Sequence, residues 1–512
     1  MPQRFEAFTA PESRCMRFYS ISLLSLVAGA ALLAACGGRG GGGGADSPAL
    51  APAAAAVVVP EETRAHDSRT AFALSAVDAG ATTFAPLSGQ SSDQIDVNST
   101  SRWAGVLGTA GYQVEVPADW NGKLVMYAHG FAGEGDRLAV QSPQIRRYLI
   151  RNGYAWAASS YSKNYYDVRA GVEDTNALAL EFSRIAAARG RVLAAPSKTY
   201  ITGVSMGGHI AAAAIEDETA ATASNKMAYH GAVPICGVVG DTELFDTFAA
   251  MQVAAQAVAG VPTHPFTKWA EIESQVTSTL FTSFPSAPTE LGARYVSILQ
   301  NLTGGPRPLF AQGLAFGGSF SSAYGTFGGD GTVAGILSKS VLDTNRFTYV
   351  IDGDTAGSAA INAAAQKLTA APDANRLRTG GLRWIPKING EFKVPVVSMH
   401  TLGDLYAPFN MQQIYQKRVA AKGNSGWLVQ RAIRGASHCD FTVAELETAF
   451  DDMIKWERDG TRPSGDDVVT PAVVAATTYG CTHTKNNIGP DDSASTTQLR
   501  GGIAQTTTAC PP

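Results

Sequence analysis

The chain has 512 residues, room for two or three average domains, although α/β enzymes often spend more than about 250 residues on one core and its insertions. Hydrophobic residues make up 45% and charged residues 16%, which excludes a disordered chain and allows a sizeable buried core. The 40 Lys and Arg against 44 Asp and Glu leave a formal net charge of -4, so there is no basic footprint for nucleic acid.

The N-terminus carries an export pattern. Arg14 and Arg17 precede an apolar run, residues 21–33, too short and too rich in Ala and Gly for a comfortable membrane span but suited to a signal-peptide core. The run ends in Leu33-Ala34-Ala35-Cys36, which resembles the lipobox of bacterial lipoproteins. The resemblance implies removal of residues 1–35 and membrane attachment through a lipid on Cys36; the alternative is ordinary cleavage that leaves a free Cys. A lipoprotein signal of usual length would begin at Met16. Residues 36–60 are rich in Gly, then in Ala and Pro, and read as a flexible tether. Gly37 stands where an Asp would resemble an inner-membrane retention signal, which favours the outer membrane of a Gram-negative cell.

From about residue 111 the pattern alternates strand, loop and helix, as in a mainly parallel sheet with helices on both faces. Strands are expected over 111–116, 123–129, 154–161, 199–204, 233–236, 394–400 and 427–432. A helix is expected over 174–188 with Asp174 near its N-cap, and another after residue 440, with apolar positions at Val443, Leu446, Phe450, Met453 and Ile454.

Four motifs sit on this frame. Gly203-Val204-Ser205-Met206-Gly207 follows a β-rich run and continues into Gly208-His209-Ile210 and four alanines, the strand, turn and helix setting that exposes a serine at a sharp elbow. Such a turn puts the serine at positive φ, and the two outer glycines let neighbouring backbone pass. A helix N-terminus beneath Ser205 favours developing negative charge. His129-Gly130-Phe131 ends an earlier strand and offers the Phe131 N–H as a second oxyanion donor beside that of Met206. Asp404 lies just past the strand 394–400, where it is either a catalytic carboxylate or an N-cap for the next helix. His438, in Gly435-Ala436-Ser437-His438-Cys439, follows another strand in the chain order Ser, Asp, His. Asp241 competes with Asp404, but lies several residues into a loop rather than directly past a long strand.

On these motifs residues 111–458 resemble an α/β hydrolase of the serine esterase, lipase and peptidase superfamily. The resemblance implies an α/β-hydrolase fold with Ser205 as nucleophile, His438 as base, Asp404 as its acid, and Phe131 and Met206 N–H groups as the oxyanion hole. It implies hydrolysis of a small-molecule or oligomeric carboxylic ester through an acyl-enzyme, with no metal and no organic cofactor. The H-G-F segment departs from the H-G-G-G run of one esterase branch. An exported serine peptidase or amidase would use the same three residues, an extracellular polyester depolymerase is a narrower possibility, and a surface binding lipoprotein with a dead site is the non-enzyme reading.

The core is expected over 61–241 and 390–460, with an inserted, largely helical cap over 242–389 and a polar C-terminal tail over 461–512. The cap contains a Gly-rich stretch with Phe310, Phe316, Phe320, Tyr324 and Phe327, either its own core or a surface for an apolar substrate. Besides Cys15 and Cys36 there are four cysteines, which in an oxidising compartment suit two disulfides and admit three pairings. Cys481 and Cys510 bracket the tail and are read as a local pair, which leaves Cys236 with Cys439.

Overall fold

The computed structural model describes residues 72–316, 330–507 and 510. The signal segment 1–35, Cys36 and the tether 36–60 lie outside the described residues, as do Phe320, Tyr324, Phe327 and the Phe316 side chain.

Eight strands make one sheet: β1 (Thr100–Leu107), β2 (Ala110–Pro117), β3 (Lys123–Ala128), β4 (Ala155–Ser159), β5 (Lys198–Val204), β6 (Ala232–Ile235), β7 (Val396–Thr401) and β8 (Leu428–Ile433). Their order across the sheet is β1-β2-β4-β3-β5-β6-β7-β8. β2 runs antiparallel to β1 and β4, and the pairs from β4 through β3 to β8 are parallel. This is the α/β-hydrolase fold. Every residue of the strands from β6 to β8 is buried because both faces of the sheet are covered, and the polar members of β7 and β8, among them Ser398, His400, Gln430 and Arg431, are buried with the rest. Alternation shows in β3, where Leu124, Met126 and Ala128 enter one hydrophobic cluster and Val125 and Tyr127 enter the other.

The helices that flank the sheet are α1 (Arg146–Arg151), α2 (Val168–Ala188) and α3 (Met206–Ala214). Helix α2 starts six residues earlier than the sequence pattern indicates. Asp167, not Asp174, caps it by accepting from the Ala170 amide, while the Asp174 carboxylate accepts from the Ser162 amide. Strand β1 was not legible either. It is an edge strand with only Trp103 and Ala104 buried, so it lacks a clear apolar alternation.

Between β6 and β7 the chain forms α4 (Glu243–Val258), α5 (Glu273–Leu280), α6 (Glu290–Leu302), α7 (Phe310–Phe316) and α8 (Thr355–Ala364). The insertion is helical mainly up to residue 316; among its described residues from 330 to 389 only α8 is a helix and the rest are turns and irregular backbone, so the expected largely helical cap holds for its first part alone. Its buried residues, among them Phe245, Phe248, Tyr295 and Ile298, belong to the same cluster as Met126 and Ile210 of the sheet and its helix. Two further helices, α9 (Asn410–Ala421) and α10 (Val443–Asp459), follow β7 and β8.

The segment after residue 460 is polar, but it is more than a tail. Asp466 accepts from the Ala432 amide and donates its own amide to the Gln430 carbonyl, so the segment covers the open edge of β8. Val468, Val474, Tyr479 and Ile503 cluster with Leu402, Phe409, Ala432 and Ala436. It contains α11 (Ala494–Thr506).

Candidate active site

Ser205 stands between β5 and α3 with φ 58° and ψ -121°, the left-handed turn of an elbow. Its amide donates to the Ile235 carbonyl of β6, which fixes the turn against the sheet. Glycine is required on both sides. A Cβ on Gly203 would run into the Gly207 carbonyl, and one on Gly207 into the Ala128 carbonyl. A Cβ on Gly208 would lie 2.6 Å from the Gly237 Cα. Three backbone segments therefore meet where any side chain would force them apart.

His438 reaches Ser205 from the loop after β8. Its Nε2 lies 2.7 Å from Ser205 Oγ and its Nδ1 lies 2.6 Å from Asp404 Oδ2. The carboxylate facing Nδ1 fixes the tautomer: Nδ1 carries the hydrogen, so Nε2 accepts from the serine hydroxyl. Asp404, in the loop after β7, is sealed from solvent, while the His438 side chain is 22% exposed. Asp404 Oδ1 accepts from the Tyr406 and Ala407 amides, so the carboxylate also caps the turn it belongs to. The N-cap reading of Asp404 does not hold: the next helix begins at Asn410 with Phe409 at its N-cap, and the Asp404 carboxylate closes only its own turn. Burial pushes the Asp404 carboxyl up, but the neighbouring His438 charge and hydrogen bond, with His400 and the Ala407 amide, hold it below the ordinary carboxylate range.

Asp241 is occupied elsewhere. Its Oδ2 accepts from Arg418 Nη1 at 2.6 Å and from the Ile388 amide at 3.0 Å. The structure brings Asp404 to His438, and Asp241 to Arg418 in the last turn of α9 and to the Ile388 amide.

Met206 opens α3, where the first amides have no intrahelical acceptor. The other segment named from sequence also lies at the site. A Cβ on Gly130 would sit 3.2 Å from the Ser205 Cβ and 3.3 Å from the Val204 carbonyl, so the Gly130–Phe131 peptide passes alongside the nucleophile. His129 itself is structural: its Nδ1 donates to the Gly130 carbonyl at 2.7 Å, and its ring stacks on Tyr161 at 4.0 Å. Burial lowers its proton affinity. His209 is on α3, held between the Tyr166 hydroxyl and the Pro386 carbonyl.

Both disulfides form, Cys236–Cys439 and Cys481–Cys510. The first joins the residue after His438 to the residue after β6. The sequence reading missed Tyr406, whose ring lies 5.8 Å from that of His438. It also passed over His400 as a strand residue, yet its Nε2 is 3.6 Å from Asp404 Oδ2. Its spacing of four residues before the acid was the available signal.

No established protein-family profile matches the chain. A segment of 91 residues, 18% of this chain, is 28% identical to part of an o-phthalyl amidase of Xanthobacter agilis and spans a fifth of that enzyme's length. Among solved structures, feruloyl esterase B from Aspergillus oryzae matches 71% of this chain and 81% of its own, at 15% identity and TM-score 0.40. Esterase 2 of Thermogutta terrifontis matches 72% of this chain and 97% of its own, at 13% identity and TM-score 0.32. The fold assignment rests on the strand order and pairing described above.

Proposed function

We propose that the chain is a serine hydrolase that cleaves carboxylic esters through an acyl-enzyme. The observation that carries this reading is the continuous hydrogen-bonded run from Ser205 Oγ through His438 to the buried Asp404 carboxylate, set on an elbow at a helix N-terminus. In the first half-reaction Ser205 Oγ attacks the acyl carbon and its proton passes to His438 Nε2. Asp404 keeps the Nδ1–H tautomer in place and stabilises the imidazolium. The Met206 and Phe131 N–H groups receive the negative charge that develops on the carbonyl oxygen. His438 then protonates the leaving alcohol, and a water deprotonated by the same Nε2 releases the acid and regenerates Ser205.

Amide hydrolysis is a second reading, supported by the match to an amidase. The same three residues serve both reactions, and the pocket decides between them. A fluorophosphonate probe, with p-nitrophenyl esters of increasing acyl length set against aminoacyl anilides, tests both. Label on Ser205 and ester turnover lost in Ser205→Ala support the proposal. Label on another serine, or unchanged turnover in Ser205→Ala, ends it.

Export and lipid attachment at Cys36 complete the proposal. Two disulfides suit an oxidising compartment. Incorporation of a fatty-acid label into the whole chain, and its loss in Cys36→Ala, is the corresponding test.

A further inference from the structure

Asp404 poses an electrostatic problem. It is a fully buried carboxylate, and His438, its hydrogen-bond partner, carries a positive charge only when protonated. An unpaired buried charge costs several kcal/mol, and such groups normally take up a proton or find a counter-charge. The other described titratable and charged groups near the pair have hydrogen-bond or ion-pair partners of their own or are neutral phenols. His400, its Nε2 3.6 Å from Asp404 Oδ2, accepts at Nδ1 from Gln412 Nε2 and donates from Nε2 to the Ala407 carbonyl, and burial favours its neutral form against the pull of Asp404. Tyr406 is a phenol pushed up by burial. Below the His438 loop, Arg500 is matched by Glu445 and lies 3.7 Å from Asp440. Arg434 donates to the Thr477 and Tyr479 carbonyls.

One cation comes from the insertion. Arg307 lies between α6 and α7 and is 6% exposed. Its Nε donates at 2.7 Å to the carbonyl of Leu402, two residues before Asp404. Its Nη1 donates to Thr303 Oγ1 and the Gly305 carbonyl, and its Nη2 has no hydrogen-bond partner. Every acceptor is neutral. Among the described residues no carboxylate lies within 4.0 Å of this guanidinium. A Cβ on Gly313 of α7 would collide with the Gly403 carbonyl, so the insertion touches the same loop again beside the acid. A buried anion without a full counter-charge and a buried cation without an acid thus occupy one short loop and the segment pinned to it.

We propose that Arg307 is the buried counter-charge of Asp404, a positioning residue through which the insertion sets the protonation of the Asp404–His438 pair. Burial brings the Arg307 guanidinium down to about 9, and the Asp404 charge is what opposes that fall. The proposal rests on the catalytic roles assigned above. A positive charge near the pair lowers the proton affinity of both members. It favours the ionised form of Asp404 and disfavours the imidazolium form of His438.

The test uses the full chain with Arg307→Met and Arg307→Lys, each with Asp404 intact and in an Asp404→Asn background. In kcat/KM profiles with p-nitrophenyl acetate, Arg307→Met moves the acidic limb to higher pH by about one unit, about a tenfold loss below the limb, while Arg307→Lys keeps the wild-type limb. The limb position does not depend on the fraction folded. A wild-type limb with only reduced amplitude in Arg307→Met would overturn the proposal. Thermal melting gives a readout independent of activity: Arg307→Met lowers Tm less in the Asp404→Asn background than with Asp404 present. Equal loss in both backgrounds would overturn it too. Failure of the catalytic reading is a separate result, unchanged turnover in Ser205→Ala, and the melting cycle holds in that case.

Discussion

Cys439 follows His438 directly and is bonded to Cys236, 203 residues earlier and one residue past the end of β6. The bond fastens the loop of the proposed base to the strand that also accepts the Ser205 amide through Ile235. Cys439→Ser removes a constraint on a long loop of the unfolded chain, which is worth about 2 to 5 kcal/mol. Denaturant unfolding should show a loss in that range, with kcat reduced more than KM is raised, because the base loses its tether while substrate contacts remain. Full stability in Cys439→Ser, or free thiols at both positions under non-reducing mass spectrometry, contradicts the tether.

The two carboxylates that competed for the role of acid are separated by their partners. Asp404→Asn leaves the shape of the loop but presents the wrong group to His438 Nδ1, and kcat should fall by about four orders of magnitude with a small effect on KM. Asp241→Asn weakens a contact to Arg418, a structural ion pair, and should cost stability while leaving kcat within about tenfold. Steady-state kinetics on both variants decides the assignment. Near-normal turnover in Asp404→Asn, with collapse in Asp241→Asn, reverses it.

What was legible in the sequence is what local pattern encodes. Parallel strands buried on both faces leave apolar runs, and an elbow leaves glycines at fixed spacing, so β3 to β8 and the surroundings of Ser205 could be read directly. Edge strand β1, half-buried and mixed in composition, left no period to read. Arg307 is 97 residues from Asp404 in the chain and sits among prolines and glycines, and nothing local marks it as a partner of the acid. The segment after residue 460 misled for a related reason. Its composition is that of a tail, but its polar groups satisfy the backbone of β8 and the loop of His438, a role that depends on long-range pairing.

Glu216 carries a pH dependence of stability. It follows α3, is fully buried, and accepts from the Gly390 and Glu391 amides. Burial raises its carboxyl from 4.5 to about 7 against those hydrogen bonds. A carboxyl raised in the folded state binds protons more tightly there, so its contribution is fully present below the unfolded value of 4.5 and is lost as pH rises through about 7. The displacement corresponds to about 3 kcal/mol. Between pH 5 and pH 8 the stability of the wild type relative to Glu216→Gln should fall by about that amount in urea titrations. A constant difference across the range removes Glu216 as the source.

Arg500 links the C-terminal segment to the His438 loop. It comes from α11, and its side chain is 3% exposed. Its Nη2 donates to the Asp440 carbonyl at 2.6 Å, and its guanidinium grips both oxygens of Glu445, at 2.9 and 3.0 Å. Glu445 also completes the capping box with Thr442 at the start of α10, so one arginine braces the loop and the helix that follows it. Arg500→Met leaves a buried carboxylate without its cation, which costs about 3 to 5 kcal/mol. Burial already raises the Glu445 carboxyl above its ordinary range, and loss of the arginine, which lowers it, raises it further. Protonation then relieves the buried charge. The deficit of Arg500→Met against wild type should therefore be largest at pH 8 and shrink toward pH 5, and kcat should fall more than substrate binding as His438 loosens. Chemical denaturation at both pH values checks the first expectation and steady-state kinetics the second. A deficit independent of pH would mean that Arg500 contributes packing rather than charge.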